Sequence, residues 1–102
     1  MPGIARVGDI AVGTCCCHED EPQCRPFVGI VSTGAGTIII EGQQAARIGD
    51  IVIGDCGHTG IISTGMGNVM MEGIGAATIG SIVVGCLDGI IVTGAGTVTA
   101  GG

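Results

Sequence analysis

Aromatic side chains are almost missing from this sequence, which holds no Trp, no Tyr and a single Phe. Any core must therefore be filled with Ile, Val, Met and Ala. Basic residues are nearly as scarce: Lys and Arg total three against nine Asp and Glu, for a formal net charge of -6. That balance excludes recognition of a phosphate backbone as a main role. It also leaves no basic patch to draw the chain to an anionic membrane surface. No apolar run approaches the ~20 residues that a spanning helix needs. The first residues, Met1-Pro2-Gly3-Ile4-Ala5-Arg6, lack the basic-then-apolar layout of an export signal. The expectation is synthesis in a reducing cytoplasm, with any passage out of the cell made on a dedicated machine.

What the chain does have is glycine and small β-branched residues. Of 102 residues, 22 are Gly, and 46% are hydrophobic. Such a composition is too apolar for a disordered linker and suits short strands and tight turns better than helices. The length fits one domain, residues 1–102, with a core small enough to need help from a metal, a disulfide or a partner.

The strongest feature is internal triplication. The first half of each unit reads IARVGDIAVG from Ile4, AARIGDIVIG from Ala45 and AATIGSIVVG from Ala76. The second half reads GIVSTGAGTIIIEG from Gly29, GIISTGMGNVMMEG from Gly60 and GIIVTGAGTVTAGG from Gly89. The repeats are drawn at 2–42, 43–73 and 74–102, and they differ in length only through inserts at 14–28, 55–59 and 86–88. The short apolar runs Ile51-Val52-Ile53 and Ile82-Val83-Val84 read as strands buried on both faces. The predicted fold class is all-β: three pseudo-repeats of short strands closing around a pseudo-threefold axis, with the inserts meeting at one end.

Every Cys and both His residues lie in those inserts: Cys15, Cys16, Cys17, His18 and Cys24 in the first, Cys56 and His58 in the second, Cys86 in the third. Six cysteines are an even number, compatible with disulfides. Their clustering beside both histidines, without an export signal, favours metal instead. Thiolate and imidazole together suit tetrahedral zinc, with iron able to use the same donors. The expected ligands are Cys56, His58 and Cys86 with one residue of the first insert. His18 ranks first there as its only imidazole, with Cys15, Cys16, Cys17 and Cys24 as alternates. Aligning the repeats sets Cys15 at the place of Cys56 and Cys17 at the place of His58. Inserts this short offer no substrate pocket, so Cys–His nucleophilic catalysis is disfavoured and no enzyme or small-molecule substrate is expected.

Arg6-Val7-Gly8-Asp9 recurs as Arg47-Ile48-Gly49-Asp50 and then decays to Thr78-Ile79-Gly80-Ser81. Arg and Asp vanish together, so they are expected to pair with each other. As an exposed ion pair they would contribute at most about 1 kcal/mol. A sharper reading places Arg6, Asp9, Arg47 and Asp50 at the base, touching a partner. The Gly-spaced stretches Thr33-Gly34-Ala35-Gly36 and Thr64-Gly65-Met66-Gly67 lack the following Lys and helix of a phosphate loop.

Gln44-Ala45-Ala46-Arg47-Ile48-Gly49-Asp50 resembles the motif of the PAAR-repeat proteins, with Gln where proline is typical. Ile4-Ala5-Arg6-Val7-Gly8-Asp9 and Ala76-Ala77-Thr78-Ile79-Gly80-Ser81 resemble weaker copies, so the resemblance covers essentially the whole chain. It implies a small cone of strands with a zinc near its apex, held by His and Cys of the inserts. It also implies a base seated, one tip per trimer, on a homotrimeric β-helical spike of a contractile phage tail or type VI secretion machine. The function implied is structural: sharpening that spike, which meets its target membrane only transiently. A β-helical trimer ends in three open strand edges, and three internal repeats on one chain are suited to continue them. A reading of a different class is a free-standing metal-binding or thiol redox-sensing module.

Overall fold

A computed structural model describes residues 3–17, 24–40, 42–71 and 73–95. Ten strands follow in chain order: β1 (Ile10–Cys15), β2 (Arg25–Val31), β3 (Ile39–Ile40), β4 (Gln43–Gln44), β5 (Ile51–Gly54), β6 (Thr59–Ile62), β7 (Met66–Met71), β8 (Ile74–Ala76), β9 (Ile82–Gly85) and β10 (Leu87–Ile91). No helix occurs among the described residues, in line with the Gly and β-branched content, and the fold is all-β. Six strands close into an antiparallel barrel in the order β1-β10-β9-β6-β5-β2, while β3–β4 and β7–β8 form two small ribbons. The molecule is elongated, 43 × 22 × 22 Å along its principal axes.

Alternation along the strands builds the barrel. Ala11, Cys15, Phe27, Val31, Val52, Ile62, Val83, Leu87 and Ile91 point inward and are almost wholly buried. Gly13 and Gly89 face each other across β1 and β10. A Cβ on Gly13 would run into the Asp88 carbonyl, and one on Gly89 into the Val12 carbonyl. Two backbones thus approach so closely that only glycine fits. The outward set is also aliphatic: Val28, Ile30, Ile53, Ile61, Val84 and Ile90 are all exposed.

Below the barrel, Ala5, Ala46 and Ala77 form a floor. Ala46 N donates to Ala5 O at 2.9 Å, Ala77 N to Ala46 O at 3.0 Å, and Ala5 N to Ala77 O at 2.9 Å, closing a cycle. All three residues are fully buried. A larger side chain would have nowhere to go. A second apolar cluster, with Ile4, Ala35, Ile40, Ala45, Ala76 and Ala95, packs beyond this floor.

The Arg–Gly–Asp turns sit at the junction of floor and barrel. Arg6 Nε meets Asp9 Oδ2 at 3.0 Å, and Arg47 Nε meets Asp50 Oδ2 at 3.2 Å. The pairing is as expected, but the exposed setting is not, since Asp9 and Asp50 are each only 5% exposed. Each carboxylate also accepts the backbone N–H of its Arg, at 2.8 Å and 2.6 Å, and a Thr hydroxyl, from Thr93 at 2.8 Å and Thr33 at 2.9 Å. Those same Thr oxygens accept the first amides of β1 and β5, from Ile10 at 2.8 Å and Ile51 at 3.0 Å. In the third copy Ser81 Oγ takes the carboxylate's place, accepting Thr78 N at 2.9 Å. These side chains are therefore internal turn locks. Gly8, Gly49 and Gly80 carry φ of 96°, 95° and 94° at the tip of each turn, a region that favours glycine.

Candidate metal centre

Strands β1, β5 and β9 run in one direction and β2, β6 and β10 in the other, because every neighbouring pair in the barrel is antiparallel. The connections β1–β2, β5–β6 and β9–β10 therefore open at the same end. These are the three inserts, so all the cysteines are delivered to one rim.

The first donor comes from β1. Inward alternation places Cys15 at the top of the barrel, fully buried opposite Leu87. The other two come from the β5–β6 turn. Gly54 N donates to His58 O at 2.9 Å and Gly57 N to Gly54 O at 3.1 Å, with φ of 88° at Gly57. Asp55 ties this turn to β2, its Oδ1 accepting Val28 N at 3.1 Å and its N donating to Val28 O at 3.0 Å. The turn is thus held on both sides, and it presents Cys56 and His58 to Cys15. The Cys15 Sγ lies 3.2 Å from His58 Nδ1, and the donor atoms of Cys15, Cys56 and His58 lie within 4.8 Å of one another.

The donor set fits a borderline-soft metal. Zinc–sulfur and zinc–nitrogen bonds of about 2.3 and 2.0 Å set the ligand atoms of one tetrahedron about 3.5–3.8 Å apart, within reach of these three groups. Burial and the neighbouring Cys56 thiol push the Cys15 pKa up, opposed by the Cys17 backbone N–H and the Arg25 charge. A bound cation would reverse that preference, since the metal takes the thiolate. The group can therefore hold a metal ion; the chemistry of its donors admits zinc or iron.

Cys56 and His58 come together as expected from the sequence. The first-insert donor among the described residues is Cys15, an alternate, whereas His18 lies outside them. The register that equates Cys15 with Cys56 carried this signal, and preference for an imidazole passed over it.

The expectation of metal in place of disulfides needs correction. Cys17 is bonded to Cys86 and Cys16 to Cys24. Cys86, expected as a ligand, is thus oxidised, and so are the alternates Cys16, Cys17 and Cys24. The cause is tertiary. Cys16 N donates to Cys86 O at 3.0 Å, extending the β1–β10 ladder past the barrel rim. This sets the Cα atoms of Cys17 and Cys86 5.2 Å apart, within the usual range for a disulfide.

No protein-family model matches the chain, and no curated protein matches it in sequence.

Proposed function

We propose that this chain is a structural tip: a small metal-pinned cap, resembling the PAAR-repeat proteins, for the trimeric β-helical spike of a contractile phage tail or type VI secretion machine. One observation carries the reading. All the cysteine-bearing connections open at one end of a closed barrel, while the opposite side rests on a cycle of three alanines drawn from three copies of one motif. That cycle and the repeated turn locks support a pseudo-threefold axis. A single chain with such an axis can meet a threefold partner with equal contacts to each subunit. The elongated shape supports a point, with the sulfur-bearing rim as apex and the floor side, with its short ribbons, as base.

In this role no side chain performs chemistry. Cys15, Cys56 and His58 would hold the metal, zinc by preference, which supplies cross-linking where three connections have little apolar material of their own. The aliphatic outer wall supports brief contact with a target membrane. Arg6, Asp9, Arg47 and Asp50 act indirectly, fixing the turns on the base side.

The test is stoichiometric. Mixed with a homotrimeric β-helical spike of the same tail machinery, the chain should form a complex of one tip per three spike chains, read by light scattering. No complex at micromolar concentrations overturns the reading. A second reading, a free-standing thiol and metal module, draws support from the two disulfides beside the donor set. It predicts no spike complex and rapid reaction of Cys56 with electrophiles even when zinc is supplied.

A further inference from the structure

We propose that the Cys17–Cys86 disulfide keeps the fourth donor of the metal centre in reserve, so that its reduction closes a Cys15, Cys56, His58, Cys86 zinc site and its oxidation reopens it. The inference rests on the metal reading above and not on the spike partner.

The first argument is a count. A closed structural zinc site takes four protein ligands, and among the described residues Cys15, Cys56 and His58 provide three. The second is position. Cys86 directly precedes Leu87, which is in register with Cys15. Leu87 also packs at Gly54, where Cys56 Sγ lies as well: a Cβ on Gly54 would sit 2.9 Å from a Leu87 methyl and 3.3 Å from that sulfur. On the other side of the bond, Cys17 follows the first donor, Cys15, by two residues. Both halves of the disulfide thus border the donor set, whereas the Cys16–Cys24 bond closes a separation of only 8 residues within one insert. The third is access. Cys17 is exposed and Cys86 half-buried, so a small reductant reaches the bond, unlike a disulfide sealed in a core.

The chemistry balances with a small dithiol as reductant. Two successive exchanges break the Cys17–Cys86 bond and oxidise the dithiol to its cyclic disulfide, leaving a thiol on each cysteine. Zinc then displaces the thiol protons of Cys15, Cys56 and Cys86, releasing three protons to solvent, and binds neutral His58. Oxidation runs in reverse, with the Cys86 sulfur leaving zinc as the bond re-forms and the remaining three donors holding the ion more weakly. Metal and disulfide are alternative ways of fastening the third connection to the first two.

The experiment is zinc titration against a chromogenic chelator, on the whole chain, with and without a phosphine. The phosphine takes the oxygen of one water as the two sulfurs take its protons. Reduction should tighten zinc binding on the order of a hundredfold. Cys86→Ser should abolish that gain, and Cys17→Ser, which leaves the Cys86 thiol unbridged, should bind tightly without phosphine. Equal affinity in both redox states overturns the inference, as does a reduced Cys86→Ser protein that binds like the parent. So does a gain lost in His18→Ala but kept in Cys86→Ser. Failure of the underlying reading looks different: no zinc bound in either state, and no effect of Cys56→Ser in either.

Discussion

The two ends of the barrel solve the same problem by opposite means. At the floor, three near-identical turns are held by backbone hydrogen bonds among Ala5, Ala46 and Ala77 and by buried Asp9 and Asp50, with Ser81 as their neutral counterpart. At the rim, three unlike inserts are held by sulfur: two disulfides and a Cys15, Cys56, His58 group. Where the sequence repeats, hydrogen bonds can close on themselves and small side chains suffice. Where it does not, the connections lack matching partners, and strong local bonds replace the missing core.

The comparison breaks most readily at the rim. The Cys17–Cys86 bond spans a separation of 69 residues, so under oxidising, metal-free conditions Cys17→Ser should cost about 4 kcal/mol by loop entropy. Cys16→Ser, across 8 residues, should cost nearer 2.5 kcal/mol by the same account. Denaturant melts should rank them in that order, and equal losses would show that the rim is not fastened chiefly by the longer bond.

Close approach in the barrel wall comes next. Gly13→Ala pushes a methyl into the Asp88 carbonyl and should lose about 3 kcal/mol, or fail to fold. A melt within 1 °C of the parent would refute the contact.

The turn locks offer a sharper cut. Asp50→Ala removes the carboxylate that accepts from the Arg47 guanidinium, the Arg47 backbone N–H and the Thr33 hydroxyl and should cost about 2 kcal/mol. The double change Arg47→Thr with Asp50→Ser imports the arrangement of the third copy and should cost less than about 1 kcal/mol, a coupling measurable by a double-mutant cycle. Additive losses would show that the neutral and charged locks are not equivalent.

The smallest effect is on acid stability. Burial alone would raise the Asp9 pKa, but hydrogen bonds from Arg6 and Thr93 outweigh it and hold the group below its usual value. Its contribution is therefore fully present above about pH 4 and fades as pH falls through the lower folded value. Thermal melts from pH 5 down to pH 2 should show the parent losing more stability than Asp9→Asn, whose curve should be flatter.

Much of this was legible in the residues. Triplication, strand-rich composition and the gathering of Cys and His in the inserts pointed to an all-β chain with its sulfur at one place. Joint loss of Arg and Asp in the third copy identified the Arg6–Asp9 and Arg47–Asp50 pairs without coordinates. Their burial was not legible, because a carboxylate three residues from an Arg looks the same on a surface as in a lock. The alanines were visible only as a motif, and a hydrogen-bond cycle among residues 5, 46 and 77 has no local signature.

The sequence by itself determined which elements exist, since strand alternation and glycine turns are short-range matters of backbone and side-chain sterics. It also determined which residue types reach the rim. Only the tertiary structure decided how those sulfurs are shared: Cys15 inward beside Cys56 and His58, and Cys17, past the end of β1, bonded to Cys86. That choice depends on the register of β1 against β10, since a shift of one residue would turn Cys15 out of the barrel, away from Cys56 and His58.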